Sequence, residues 1–229
     1  MRQRLAPELL DEDRGSAAEI AGSLDDLWWI QRRLGGLSSL RRLLRAWLAA
    51  YPPATGARLR ILDVGAGAGQ TSAYARDWLA ARGAAAEMFV LDRSPRHLLH
   101  GDPARRGLRA VAGDALAMPF PDRSFDLVTC SLFLHHFHGS MAAALLREMK
   151  RLARGAVVIH DLERSALALL AFRLVSPLAT NRITQHDGAV SIRQAYTAPE
   201  LVALARRAGC EQARVRRLWP FRLGLIGLL

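Results

Sequence analysis

The sequence predicts an α/β fold built on a doubly wound, mostly parallel sheet. Three observations carry that prediction. First, Ile61-Leu62-Asp63-Val64-Gly65-Ala66-Gly67-Ala68-Gly69-Gln70 reads as an apolar strand that breaks into a glycine-rich turn, with a helical segment from Thr71 to Arg82 behind it. Second, apolar runs and helical segments alternate from Leu59 to Asp161, the pattern of parallel strands joined by crossover helices. Third, each apolar run ends in small or acidic residues, where a crevice opens at the carboxyl edge of such a sheet.

The elements follow in order. Residues 1–15 are expected to be a loose start. Ser16 to Leu34 reads as a helix, with Ile20, Leu24, Leu27, Trp28 and Leu34 at helical spacing, and Gly35-Gly36 stops it. A second helix runs from Ser38 to Ala50 and ends before Pro52-Pro53. Together, residues 1–54 are expected to form a helical cap over the crevice. Residues 55–229 form the α/β domain, with a helical insert over 162–195. After the first strand and the glycine turn, Met88 to Leu91 forms a strand ending in Asp92. Leu108 to Ala112 forms another, ending in Gly113-Asp114-Ala115. Phe125 to Ser131 follows the turn-forming Pro121-Asp122-Arg123-Ser124. Ala156-Val157-Val158-Ile159 is continuously apolar, as a buried central strand should be. Leu162 to Thr180 reads as an apolar helical insert, and Asn181 to Gly188 as a polar loop whose Asp187-Gly188 favours a turn. A last helix spans Pro199 to Ala208, capped by Thr197 and stopped by Gly209. Val215 to Leu218 and Leu223 to Leu228 then close the chain as an antiparallel hairpin.

Composition narrows the function classes. A chain of 229 residues can bury an ample core. It has no apolar stretch of membrane-span length, and its start, Met-Arg-Gln-Arg followed by Asp11-Glu12-Asp13, lacks a signal-peptide core, so a cytoplasmic location is expected. Two cysteines, Cys130 and Cys210, make no disulfide framework. The net charge of +11 invites a nucleic-acid reading. It is carried almost wholly by arginines scattered in pairs, with Lys150 the sole lysine, and scattered pairs argue against a nucleic-acid stripe. Peripheral contact with an acidic partner or membrane surface stays open.

The glycine loop departs from two common patterns. Gly65 and Gly67 fit the first positions of the dinucleotide fingerprint, but Gln70 falls where the third glycine belongs, and no Gly-Lys-Ser/Thr ending is present. The spacing is instead G-x-G-x-G. Alone, such a loop is often only a tight turn. With Asp92 at the distance of a ribose-binding carboxylate, and Asp114 ending the next strand, it outlines a nucleotide-type cofactor site.

The ordered set LDVGAGAGQ, LDRS and GDALAMPFPDRSFDLVTCSLFLHHF resembles the successive motifs of class I S-adenosylmethionine-dependent methyltransferases, closest to the small-molecule branch that includes quinone-biosynthesis enzymes. The resemblance covers residues 55–165. It implies the seven-stranded Rossmann-like methyltransferase fold and S-adenosyl-L-methionine as cofactor. It also implies that Gly65, Gly67 and Gly69 embrace the methionine part and that Asp63 supports the loop. Asp92, with Arg93 beside it, would bind the ribose, Asp114 and Ala115 would reach the adenine, and Ser131 would sit near the methionine end. A second resemblance links DLERSALALL through NRITQHDGAVSIRQAYT, with WPFRL, to methyltransferases found beside type III polyketide synthase genes. It implies a phenolic or pyrone-like acceptor with an alkyl chain, buried by the apolar insert and cap.

Methyl transfer from a sulfonium needs alignment and exclusion of water, and an oxygen or acidic-carbon nucleophile also needs a base. Candidates are His135 and His136 after the fourth strand, Asp161 beside His160 at the end of the fifth, and His186 in the polar segment. Successive strand residues point opposite ways, so one of His160 and Asp161 faces the pocket. No metal is expected, because the histidine spacing matches no common zinc pattern. The leading expectation is O-methylation of a small hydrophobic phenol. Carbon methylation of the quinone type is the nearest alternative, and an RNA methyltransferase or a non-catalytic cofactor-binding protein are the others. A two-fold dimer through the amino-terminal helices is compatible with the sequence.

Overall fold

The computed structural model describes residues 1–54 and 56–229, and all of their side chains except those of Leu178 and Ala179. Thr55, the expected boundary between cap and α/β domain, lies outside the described residues.

Helix α1 (Ala17–Arg33) opens on a capping box: the Ser16 hydroxyl accepts from Glu19 N, and the Glu19 carboxylate accepts from Ser16 N at 2.9 Å. Gly35, in the left-handed region at φ 79°, turns the chain into α2 (Gly36–Ala50). There follow β1 (Leu59–Val64), α3 (Gln70–Ala80), β2 (Ala86–Asp92), α4 (Pro95–His100), β3 (Arg109–Ala112) and β4 (Phe125–Ser131). After a single 3₁₀ turn at Leu134–His136 come α5 (Gly139–Leu152), β5 (Ala153–Leu162), α6 (Ala166–Ala179), α7 (Arg182–Gln194), α8 (Ala198–Arg207), β6 (Arg214–Leu218) and β7 (Arg222–Leu228).

The seven strands lie in the order β3-β2-β1-β4-β5-β7-β6, parallel except for β7, which runs antiparallel to both β5 and β6. The order reverses between β1 and β4, so a crevice opens above their carboxyl ends. Alternation along the strands builds two cores. Leu62, Val128, Val157 and Ile159 face α5 and α8, while Ile61, Leu127, Ala156 and Val158 face α2 and α3.

Three expectations differ from what is found. Helix α2 is a sheet-covering helix, not a cap: Leu40, Leu43, Leu44 and Trp47 are buried against the sheet face. Helix α1, by contrast, lies over the carboxyl edge, where a Cβ on Gly67 would meet its Leu24 at 3.9 Å. The start of the chain is not loose, since Leu9 and Leu10 pack with Ile20, Leu24 and Ile183. Nor is 181–188 a loop. The Asn181 side chain accepts from Thr184 N at 3.0 Å and starts α7, and Gly188 lies inside that helix because a Cβ there would overlap the Phe172 ring of α6. The absence of a side chain at Gly188 serves close helix packing, not a turn.

Candidate active site

The strand ends bring the acids together. Asp63, Asp92 and Asp161 sit at the carboxyl ends of β1, β2 and β5, with Asp114 two residues beyond β3 and Ser131 ending β4. Between them the glycine loop takes a left-handed path that favours glycine: Gly65, Gly67 and Gly69 have φ of 68°, 54° and 68°. The amides of Gly65 and Ala66 donate to Leu91 O, and Gly67 N donates to Asp92 Oδ2 at 2.7 Å, so the loop and Asp92 form one unit. The other Asp92 oxygen accepts from Ser94 N at 2.9 Å. A Cβ on Gly65 would overlap Phe133, whereas one on Gly67 would meet only Leu24 at 3.9 Å.

Asp63 is the residue that fits the expected cofactor most directly. It is buried at the foot of the loop. Its Oδ2 accepts from the Ser72 hydroxyl at 2.5 Å, and its Oδ1 is buried with no hydrogen-bond partner among the described residues. Burial raises its pKa to about 7, against the Ser72 hydrogen bond and with a further push from the charge of Asp92. An unpartnered carboxylate oxygen in such a place suits a ligand's ammonium group. Asp114 is exposed, and its Oδ1 accepts from Leu116 N at 2.8 Å in a turn beside buried Ala115. Arg93 is exposed and donates to Asp11 O at 3.1 Å.

The second half of the site is a histidine–carboxylate pair. Asp161 and His160 point to opposite faces of β5, as alternation requires. His160 turns under α2, bonds to Ser39 Oγ at 2.7 Å and is held far below the usual histidine range, at about 3, by burial and by Arg222. Asp161 turns the other way. Its Oδ1 accepts from His135 Nδ1 at 2.7 Å and its Oδ2 from His135 N at 3.0 Å, while Leu162 N also donates to it. Burial opposes charge on Asp161, but the His135 ring and these hydrogen bonds hold it below the usual carboxylate range. With Nδ1 so engaged, His135 presents Nε2 outward, 3.7 Å from Glu8 Oε1.

Glu8 belongs to a strap that the sequence left undescribed. Residues 3–13 cross the carboxyl edge. Gln3 donates to Gln194 O, and Leu9 N and Leu10 N donate to the two Asp187 oxygens at 2.8 and 2.9 Å. Glu8 is buried, its Oε1 accepting from Ser191 Oγ and Gln194 Nε2. Asp11 Oδ2 lies 2.7 Å from His136 Nδ1. Burial works against charge on His136, yet the hydrogen bond to Asp11 and the fields of Glu8, Asp11 and Asp161 raise it to about 9. His135, His136 and Glu8 offer ligand-type atoms within 4.8 Å of one another, but the proton on His136 already supplies the positive charge between these acids. His186 lies apart: half-exposed on α7, it pairs with Asp187 at 2.8 Å, and no bond joins it to His135 or Asp161 among the described residues. The signal for the strap was present in the chain, where Glu8, Asp11, Glu12 and Asp13 gather acids in an otherwise basic sequence containing His135, His136 and His138. Distance along the chain hid their meeting.

Comparison with known proteins points to a methyltransferase. A family model described as a methyltransferase domain matches residues 62–159. A demethylmenaquinone methyltransferase of Roseiflexus castenholzii is 38% identical over 127 residues, 54% of this chain and 50% of that protein. The one from Streptomyces avermitilis is 31% identical over 216 residues, 87% and 89% of the two chains. The matched segment thus spans half the length of the first relative and nearly all of the second. Among solved structures, an S-adenosylmethionine-dependent methyltransferase from Aquifex aeolicus aligns with TM-score 0.53 at 17% identity over 74% of this chain and 81% of its own. The plantazolicin methyltransferase BpumL aligns with TM-score 0.67 at 12% identity over 93% and 95%. At such identities these structures speak for the fold alone. No helix among the described residues is long and apolar enough to cross a membrane.

Proposed function

Because this chain belongs to the class I S-adenosylmethionine-dependent methyltransferase family, we propose that it methylates a ring carbon of a hydrophobic, quinol-type acceptor. The names of its relatives favour carbon methylation of a demethylmenaquinone-like ring over the phenolic O-methylation that the sequence led us to expect. The observation that carries the reading is the His135–Asp161 pair on the same sheet edge as the glycine loop, Asp63 and Asp92.

The cofactor, when bound, supplies a methyl group made electrophilic by its positive sulfur. Asp63 would hold its ammonium, Asp92 its ribose, and Gly67 would let it approach the backbone. The chain's own work is on the acceptor. A quinol carbon is nucleophilic once its neighbouring hydroxyl loses a proton. His135 Nε2 takes that proton, while Asp161 keeps Nδ1–H in place and stabilises the imidazolium formed. After attack the His135 imidazolium returns its proton to the ring oxygen and the neutral imidazole so restored takes the proton from the methylated ring carbon, so the aromatic quinol re-forms and one proton is released per turnover. O-methylation is the second reading, since the same pair suffices to deprotonate a phenol for attack through oxygen.

The test uses a methyl-labelled donor with two acceptors, a short-chain naphthoquinol lacking its ring methyl and an alkylated phenol. Label on a ring carbon, located by NMR, supports the proposal. Label in a methoxy group selects the second reading. Transfer to neither acceptor, with the donor bound, overturns both.

A further inference from the structure

We propose that the outer face of α6 and the adjoining turn between β6 and β7 dock on an anionic lipid surface. Helix α6 packs on α7 with Phe172 seated over Gly188, and Ala168 and Ser176, on the same side of the helix as Phe172, are buried. Its other side carries Leu167, Leu170 and Leu174 at i, i+3 and i+7, with 61%, 56% and 67% of their surface exposed. Three leucines in one stripe form a continuous apolar ridge, unlike apolar residues scattered singly over a surface. The expected burial of an acceptor by this insert is therefore not what α6 offers: its leucines face outward.

The ridge has a neighbour of the same character. Glu163, three residues before α6, donates its amide to Phe221 O at 2.9 Å and pairs with Arg217 at 2.6 Å. The turn that holds Trp219, 71% exposed, thus abuts the entry to α6. Gly35 lies against Pro220 in the same turn, which brings the end of α1, with exposed Arg32 and Arg33, beside it.

Charge decides the partner. Arg32, Arg33 and Arg173 are exposed around this apolar surface, and the acids at the entry to α6, Glu163 and Glu200, are already paired with Arg217 and Arg164. Leucines that enter the acyl boundary, a tryptophan at headgroup depth and flanking arginines fit an anionic bilayer. A second copy of the chain would set these arginines against themselves. Placement agrees too: Leu162 pairs with Arg222, so the turn sits at the carboxyl end of β5, the edge that holds Asp161. That a lipid-soluble acceptor would enter from this side rests on the proposed function, but the docking itself does not.

The experiment is co-flotation of the full chain with vesicles of phosphatidylcholine alone or with phosphatidylglycerol. The wild-type protein should float with the anionic vesicles, less so at high salt, and not with the neutral ones. Leu170→Glu/Leu174→Glu should lower the partition coefficient about tenfold or more. The emission shift on vesicle binding should be smaller in Trp219→Phe. Calorimetry with the methyl donor checks that the variants remain folded, and transfer to a soluble short-chain acceptor should match wild type. Absence of binding, equal binding by the double variant, or a wild-type dimer that the double variant splits would each overturn the proposal. If wild type floats yet transfers no methyl group to any acceptor, the functional reading fails and the docking stands.

Discussion

Asp63→Asn separates the loop carboxylate's role in the fold from its role in the site. In the folded protein burial raises this group from 3.8 to about 7, with Asp92 adding to the rise and Ser72 opposing it. The folded chain therefore keeps a proton that the unfolded chain gives up between about pH 4 and 7. Stability must fall as pH rises through that window and stay flat above it. At 1.36 kcal/mol per pH unit the whole window amounts to about 4 kcal/mol. The part between pH 5 and 7 amounts to about 3 kcal/mol. The substituted amide would still accept from the Ser72 hydroxyl but would carry no charge. Urea unfolding at pH 5 and pH 8 should show the variant gaining about 3 kcal/mol on wild type across that interval. Donor binding should move the other way. A cationic ammonium favours the ionised carboxylate, so wild-type affinity by calorimetry should strengthen with pH up to about 7, with release of a proton below it. The variant should bind about tenfold or more weakly, without that pH dependence. Parallel unfolding profiles together with equal donor affinity would refute the argument that Asp63 is a buried acid awaiting a cation.

Three further outcomes follow from the site. Asp161→Asn can present an amide N–H to His135 Nδ1 and reverse its tautomer, so turnover should fall by about 10²–10⁴ while donor affinity by calorimetry is unchanged. A change confined to KM would speak against the pair. The strap should loosen in alkali. Because His136 is raised from 6.5 to about 9, the pairing with Asp11 is complete below pH 6.5 and disappears as pH passes 9. Exchange of the Leu9 and Leu10 amides, corrected for intrinsic rate, should accelerate about tenfold across that range in wild type and show no such step in Asp11→Asn. Gly67→Ala and Gly83→Ala both place a side chain at positive φ, 54° and 76°, and each should cost about 1 kcal/mol in unfolding assays. Gly67→Ala alone should also weaken donor binding.

Much of the architecture was legible because its determinants are local. The β4 limits, Phe125–Ser131, follow from an apolar run between a Pro-Asp turn and a helix signal, and α8 from Thr197 before it, Pro199 in its first turn and Gly209 after it. The alternation rule separates His160 from Asp161 on sequence alone. What stayed hidden depends on long-range partners. Asp187-Gly188 reads as a turn until Leu9, Leu10 and Phe172 are in place to use the carboxylate and the missing side chain. Glu8 carries no periodicity or motif. Its meaning comes from Ser191, Gln194 and His135, all more than a hundred residues away. Helix α2 reads as an amphipathic helix in either role, and only the sheet beneath it shows that its apolar stripe faces the core.

The placement of Glu8 in front of His135 has a kinetic corollary. In the proposed reaction an acceptor approaching Nε2 would meet a carboxylate of the same chain, a competitor at fixed effective concentration. A Michaelis constant for that acceptor would then include the work of displacing Glu8 and the segment that carries it. Variants that unfasten this segment would gain apparent affinity for the acceptor while losing whatever shielding from water the segment gives the reacting groups.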